Sequence, residues 1–156
     1  MFQRTVPLIA CFAFLFACYT PPAASISLVH GGQASVRIVL DNQVDPINRD
    51  VAQDLAGILQ RMSGALVSQG ATSELAPLYL GEAAEFTDLP FTVPVLQKEE
   101  FLLKVTPEAV YILGGTSLGT SHGVYTLLRD LGCRWIMPGT IGECLPSLKD
   151  IDVPVQ

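Results

Sequence analysis

The chain is short of basic residues, histidine and tryptophan, and these shortages exclude several functions. Among its 156 residues it has nine Lys and Arg against fifteen Asp and Glu, two histidines and one tryptophan. No cluster of Lys and Arg forms, so nucleic acid and anionic membranes are poor partners for this negative chain. The cysteines show no zinc-ligand spacing with a histidine nearby. We therefore predict no metal site and no cofactor.

The N-terminus also lacks charge, because Arg4 is the only charged residue among positions 1–24. The apolar run from Val6 to Cys18 is shorter than the ~20 residues that a membrane-spanning helix needs. Its layout is typical of a secretory signal. We predict a signal peptide over 1–24 and export to the periplasm or the cell exterior, with a short membrane anchor as the alternative. Loss of Arg4 leaves eight basic and fifteen acidic residues, a net charge of −7.

The cleavage route has two alternatives. Leu15-Phe16-Ala17-Cys18 resembles a bacterial lipoprotein box, in which Cys18 would be lipidated and retained. Phe16 is bulky for its position in that box. Ordinary cleavage near Ala24 or Ser25 is therefore the preferred prediction.

Hydrophobic spacing after the signal predicts one α/β (α+β) domain over 35–156, preceded by a linker over 25–34. Asp45-Pro46 is typical of a helix start, and Gly64 and Gly132 are typical of helix ends. We expect a mixed sheet with two main helices in the order β-α-β-β-β-α-β-β. The predicted strands are 35–40, 78–80, 101–105, 109–113, 134–137 and 151–153, and the predicted helices are 45–64 and 117–131.

Two cysteines remain once the signal, which holds Cys11 and Cys18, is removed. Cys133 and Cys144 flank a segment that can fold back as a hairpin, and an exported protein can oxidise them. A Cys133–Cys144 disulfide is one hypothesis. Two buried free thiols are the other, because free cysteine often behaves as a small core residue.

The stretch Gly115-Thr116-Ser117-Leu118-Gly119 matches G-x-S-x-G, the nucleophile elbow of serine hydrolases, between a predicted strand and helix. That chemistry needs a histidine base within reach of the serine. His122 is five residues further along the same helix, about 140° around it from Ser117. We therefore expect Ser117 or Thr116 to cap the helix. A small serine esterase using Ser117 remains the weaker alternative.

The same residues nearly form a phosphate loop, with Gly114, four residues, then Gly119. Thr120 stands where the lysine of that loop should be, and Thr116 stands at the second glycine of the dinucleotide pattern. Only a weak anion site at the helix N-terminus is left. We predict no nucleotide partner.

The carboxylates of the sequence show no pairing typical of an active site, and the aromatic residues offer one candidate binding surface. Glu99 and Glu100 are adjacent, so in a strand they point to opposite faces. Glycoside hydrolysis needs two carboxylates facing each other across a cleft, and the scattered acids Glu82, Glu85, Asp130 and Glu143 show no such pair. Trp135 and Arg134, beside a Pro-Gly turn, are candidates for a sugar-stacking platform. The alternative is that Trp135 packs in the core.

The longest motif in the sequence reads Gly114-Gly115-x3-Gly119-x3-Gly123-Val124-Tyr125-x-Leu127-Leu128-x2-Leu131-Gly132-Cys133-Arg134-Trp135-x2-Pro138-Gly139. It resembles the α-glucuronidase N-terminal-type domain, which is similar to the α/β domain that precedes the barrel in β-hexosaminidases. A weaker match, Leu59-Gln60-Arg61-Met62-Ser63-Gly64-Ala65, resembles the first helix of the same domain. The resemblance covers roughly Ser35 to Val155.

The resemblance implies a non-catalytic accessory domain, since the catalytic acids of that family lie in the barrel that follows. None of the matched positions is catalytic in the family. We expect a glycosidase barrel as partner, in cis within a longer protein or in trans to a stand-alone domain. An independent carbohydrate-binding module, with an oligosaccharide as ligand, is the first alternative.

Overall fold

The protein is described by a computed structural model over residues 24–40, 45–70 and 74–156. Almost the whole predicted signal peptide, including Arg4 and Cys18, therefore lies outside the described residues. Across the described ranges, no helix is both long and apolar enough to cross a membrane.

The core of the fold is a four-stranded mixed sheet with strand order β3-β4-β6-β5. β3, β4 and β6 run parallel, and β5 pairs antiparallel with β6. Every residue of β6 is buried, as expected for a central strand covered on both faces. The strand bounds are Val36–Leu40 for β3, Ala76–Glu82 for β4, Phe101–Val105 for β5 and Val110–Gly114 for β6.

Two helices cover one face of this sheet. α1 spans Pro46–Ser63 and α2 spans Ser117–Asp130. Their apolar sides share one core with alternate strand residues such as Ile38, Leu80 and Ile112. α1 begins as the sequence predicts, because the Asp45 side chain accepts a hydrogen bond from the Ile47 N–H at 2.7 Å.

The opposite face of the sheet is covered by coil. Tyr79 and Tyr111, paired across β4 and β6, stack with ring centroids 5.0 Å apart. Phe86 and Phe91, from the irregular segment between β4 and β5, pack edge-on against these two rings. The structure therefore has helices on one face and an aromatic cluster on the other.

The predicted linker over 25–34 is wrong, because these residues form two strands. β1 spans Ser25–His30 and β2 spans Gln33–Ala34, and β1 pairs antiparallel with β9, Ile151–Pro154. Leu28 and Val29 are fully buried. The small sheet needs a partner strand from the far end of the chain, which explains why local patterning did not reveal it.

The last pair of strands forms a short hairpin. β7, Arg134–Trp135, pairs antiparallel with β8, Glu143–Cys144. The predicted elements are all present, so the predicted fold class, a mixed sheet with two main helices, is confirmed.

Candidate functional site

The glycine-rich turn between β6 and α2 is filled by the chain itself. A Cβ atom on Gly115 would lie 1.9 Å from the carbonyl oxygen of Gln97, and one on Gly119 would lie 2.3 Å from that of Glu100. Such distances are impossible for real side chains. The glycines therefore let the coil before β5 lie directly on the turn, which is a packing role.

The start of α2 is capped by a residue from another strand. Thr116 occupies the N-cap position, but its side chain makes no capping bond and instead donates to the carbonyl oxygen of Lys98. The N–H of Ser117 donates to Oε1 of Glu82 at 3.1 Å. The predicted cap by the side chain of Ser117 or Thr116 is thus wrong. A carboxylate favours this position because it satisfies a free N–H and complements the helix dipole.

Ser117 and the histidines do not form a catalytic set. Ser117 is buried at the helix start. Nδ1 of His122 lies 3.3 Å from the Glu99 carbonyl oxygen, and Nδ1 of His30 lies 3.2 Å from Oδ1 of Asp150. Among the described residues, neither histidine hydrogen-bonds to Ser117. The G-x-S-x-G match is therefore not assembled as a nucleophile elbow.

Two of the carboxylates that the sequence singled out make structural contacts. Glu82 caps α2, and Glu143 forms an ion pair with Arg61. The Arg61 hydrogen bond holds the pKa of Glu143 below its usual value, and a hydrogen bond from Trp135 acts in the same direction. In the described part of the chain, no group of three His, Cys, Asp or Glu side chains lies close enough to hold a metal ion.

A surface cavity of about 480 Å³ lies between α2 and β7. Its volume lies within the range typical of small-molecule sites. Trp135 is 38% exposed, so it belongs to this wall and not to the core. The lining residues are His122, Tyr125, Thr126, Arg129, Cys133, Arg134 and Trp135.

Two aromatic rings form one wall of this cavity. The rings of Tyr125 and Trp135 meet edge to face, with centroids 5.3 Å apart and planes at 78°. The Tyr125 hydroxyl donates to Oδ2 of Asp54 at 3.0 Å. Burial, followed by this hydrogen bond and the Asp54 charge, raises the pKa of Tyr125. The phenol therefore stays protonated and anchored to α1.

Two arginines and a histidine supply the polar groups. Nη1 of Arg134 donates to the backbone carbonyls of Arg129 and Cys133, at the negative C-terminal end of α2. The Arg129 side chain is exposed on the last turn. Neither guanidinium has a carboxylate partner among the described residues.

The structure brings the predicted site residues Trp135 and Arg134 to one cavity. Four further lining residues were not predicted as site residues from the sequence: His122, Tyr125, Thr126 and Arg129. A signal was present. The four positions follow the spacing i, i+3, i+4, i+7, which places them on one helix face opposite the apolar stripe.

Cys133 and Cys144 are free thiols in different environments. Cys133 is buried, with Sγ 3.5 Å from Sδ of Met62, whereas Cys144 is exposed. Cys144 pairs with Arg134, the residue after Cys133, and neighbouring strand residues point to opposite faces. The hypothesised disulfide is therefore not formed in this structure. Burial raises the pKa of the Cys133 thiol.

Comparison with known proteins finds matches among solved structures. No protein-family model and no curated protein matches the chain. Among solved structures, two mutants of Streptomyces plicatus β-hexosaminidase (D313A and D313N), each in complex with the product GlcNAc, are 22% identical with a TM-score of 0.48. Each match covers 71% of this chain and 19% of the other.

A third solved structure, Streptomyces plicatus N-acetyl-β-hexosaminidase in complex with Thio-NAglucal, is 22% identical with a TM-score of 0.45, covering 69% of this chain and 18% of the other. The chain thus spans about a fifth of the length of the solved structures it matches.

Proposed function

We propose that this chain is an exported, non-catalytic accessory domain of a carbohydrate-active protein of glycoside hydrolase type. Its partner is a glycosidase barrel, joined in cis or bound in trans, of the kind that follows α-glucuronidase N-terminal-type domains. The observation that carries the proposal is the closed glycine-rich turn. The motif on which the resemblance rests includes Gly115 and Gly119, and these glycines allow the backbone of residues 97–100 to pack directly on the turn.

The other motif positions support this proposal in the same way. A Cβ atom on Gly123 would lie 2.7 Å from Cγ2 of Ile112, so the glycine lets α2 approach the sheet closely. Leu127, Leu128 and Cys133 are buried in the main core. A motif made of packing residues is what a fold-defining accessory domain requires, whereas an enzyme motif would expose reactive groups.

The non-catalytic role is tested by assaying the purified chain on aryl glycosides, glucuronoxylan fragments and aryl acetates. We expect no turnover above that of the buffer. Glycoside hydrolysis would overturn the proposal. Acetate hydrolysis that Ser117→Ala abolishes would replace it with the esterase alternative.

Export is tested separately, because it depends on residues outside the described ranges. Positions 1–24 fused to a reporter enzyme that is active only outside the cytoplasm should produce activity, and replacing apolar residues of 6–18 by charged ones should remove it. A silent fusion would contradict export. Retention of activity in the membrane that depends on Cys18 would favour the lipoprotein route.

A second candidate function is that of a carbohydrate-binding module, favoured by the exposed indole of Trp135 in a cavity of about 480 Å³. Aromatic faces exposed beside polar groups bind sugar rings through their apolar C–H surfaces. Trp135→Ala should weaken saturable oligosaccharide binding while the far-ultraviolet circular dichroism spectrum stays that of the folded chain. Global unfolding by this variant would show a core role for Trp135.

A further inference from the structure

We infer that the cavity between α2 and β7 binds a negatively charged saccharide, with a sugar ring against Trp135 and its acidic group on Arg129 and Arg134. This inference deepens the carbohydrate-binding candidate by assigning the charge class of its ligand.

Positive charge is in local excess at this cavity. The whole chain carries a net charge of −6, yet the only residues of this cavity wall with full charges are two arginines. Asp54 accepts a hydrogen bond from Tyr125 and Glu143 pairs with Arg61, so among the described residues neither carboxylate forms an ion pair with these two arginines. An anion entering the cavity therefore meets guanidinium groups that no described carboxylate neutralises.

Arg134 is held in place before any ligand arrives. Its Nη1 is fixed by two backbone carbonyls, at 2.7 Å in the case of Cys133. Its other guanidinium nitrogens make no bond to the described residues, so their N–H groups are free to donate to a ligand. A planar guanidinium fits a carboxylate or sulfate through two parallel hydrogen bonds, and prior ordering lowers the entropic cost of binding.

The aromatic wall is held in place as well as exposed. The ring of Trp135 meets that of Tyr125 edge to face, and the Tyr125 hydroxyl is hydrogen-bonded to Asp54 on α1. A simple inorganic anion has no apolar surface that could pack on these aromatic rings. A sugar ring with an acidic substituent uses both the aromatic face and the guanidinium groups.

The test compares an acidic trisaccharide with its neutral ester and with a trisaccharide that carries a different acidic group. Binding of trigalacturonate to the chain is measured by calorimetry beside its fully methyl-esterified form, which is neutral, and a sulfated trisaccharide of galactose. We expect saturable binding of trigalacturonate that is about tenfold or more tighter than that of the ester, as a charged hydrogen bond predicts. Binding of the sulfated ligand as well would define the site as one for anionic sugars in general, and preference for the carboxylate would define it as a uronate site.

Variants separate the cavity from general electrostatics. Arg129→Ala should weaken trigalacturonate binding by about tenfold or more, whereas Arg49→Ala removes the same charge from the exposed side of α1 and should have little effect. Arg129→Lys should recover part of the affinity, because it keeps the charge and loses the paired geometry. Since Arg129 makes no bond to other described side chains, these variants should fold.

Two results would overturn the inference. Equal binding of the acid and its ester would contradict the preference for an anionic sugar and leave the carbohydrate-binding candidate intact. Absence of binding to all three sugars would contradict both the preference for an anionic sugar and the carbohydrate-binding candidate. The proposed accessory role is independent of either result, because hydrolysis assays decide it.

Discussion

The carboxylate of Glu82, the last residue of β4, accepts a hydrogen bond from the N–H of Ser117, the first residue of α2, at 3.1 Å. Thirty-five positions separate the two residues. This contact joins the carboxyl end of one strand to the start of the helix that follows its neighbour. It also places a negative charge at the N-terminus of α2. A catalytic serine or a bound phosphate would need this position to be open to solvent.

Removal of this cap should destabilise the fold. Glu82→Ala leaves the helix start without its acceptor, so we expect the free energy of unfolding to fall by about 0.5–2 kcal/mol. Glu82→Gln keeps an oxygen acceptor and should lose less. Urea unfolding measures both, with Glu85→Ala, an exposed position in the 3-10 helix that follows β4, as the control. A midpoint for Glu82→Ala equal to that of the control would contradict the capping role.

Substitution of a glycine in the turn between β6 and α2 should destabilise the fold more strongly. In Gly115→Ala the new methyl group would meet the backbone of Gln97 at 1.9 Å, and backbone atoms cannot move aside cheaply. We expect a loss of about 3 kcal/mol or more in the free energy of unfolding. Gly57→Ala is the matched control, because its methyl group has no neighbour within 4 Å and alanine favours the helix by about 0.5–1 kcal/mol.

The thiols should differ in reactivity. In a chain whose Cys11 and Cys18 are replaced by serine, a thiol reagent should modify one residue in the native state, Cys144, and two after denaturation. Cys133 is protected by burial, which also raises its pKa and keeps it in the unreactive thiol form. Cys144→Ser should abolish native labelling. Absence of any free thiol before reduction would instead indicate the Cys133–Cys144 disulfide.

Low pH should destabilise the fold by protonating Glu143, which lies in the hairpin of β7 and β8. Its pKa is lowered in the folded state by the hydrogen bond from Arg61. A lowered folded-state pKa means that the pair contributes stability above the usual Glu pKa and loses it as the pH falls through the folded value. The urea midpoint of the native chain should therefore fall more steeply below about pH 4.3 than that of Arg61→Gln. Arg49→Gln should keep the native pH dependence, and identical profiles for all three chains would contradict the prediction.

Much of the fold was predictable because its signals are local. The apolar spacing of α1, its Asp45-Pro46 start and its end at Gly64, where φ is 82°, follow from neighbouring residues alone. The hairpin of β5 and β6 likewise needs only two apolar runs and a short turn. The same locality explains the failure at β1, whose partner strand β9 lies more than a hundred residues away.

The candidate site was only half predictable. Trp135 and Arg134 stand out because the tryptophan is unique and lies beside a Pro-Gly turn. Tyr125 and Arg129 did not stand out, because a polar helix face is normally just the solvent side. Only the packing of β7 beside that face makes it one wall of a cavity.

The sequence by itself determined the two helices, the strands of the four-stranded sheet and the family resemblance, since these depend on hydrophobic spacing, caps and glycine positions within a few residues. The tertiary structure decided what those residues do. It closed the glycine turn with backbone from Gln97 to Glu100, gave the helix cap to Glu82 and separated Cys133 from Cys144. Each of these outcomes depends on contacts between segments distant in the chain, whose spacing no local pattern records.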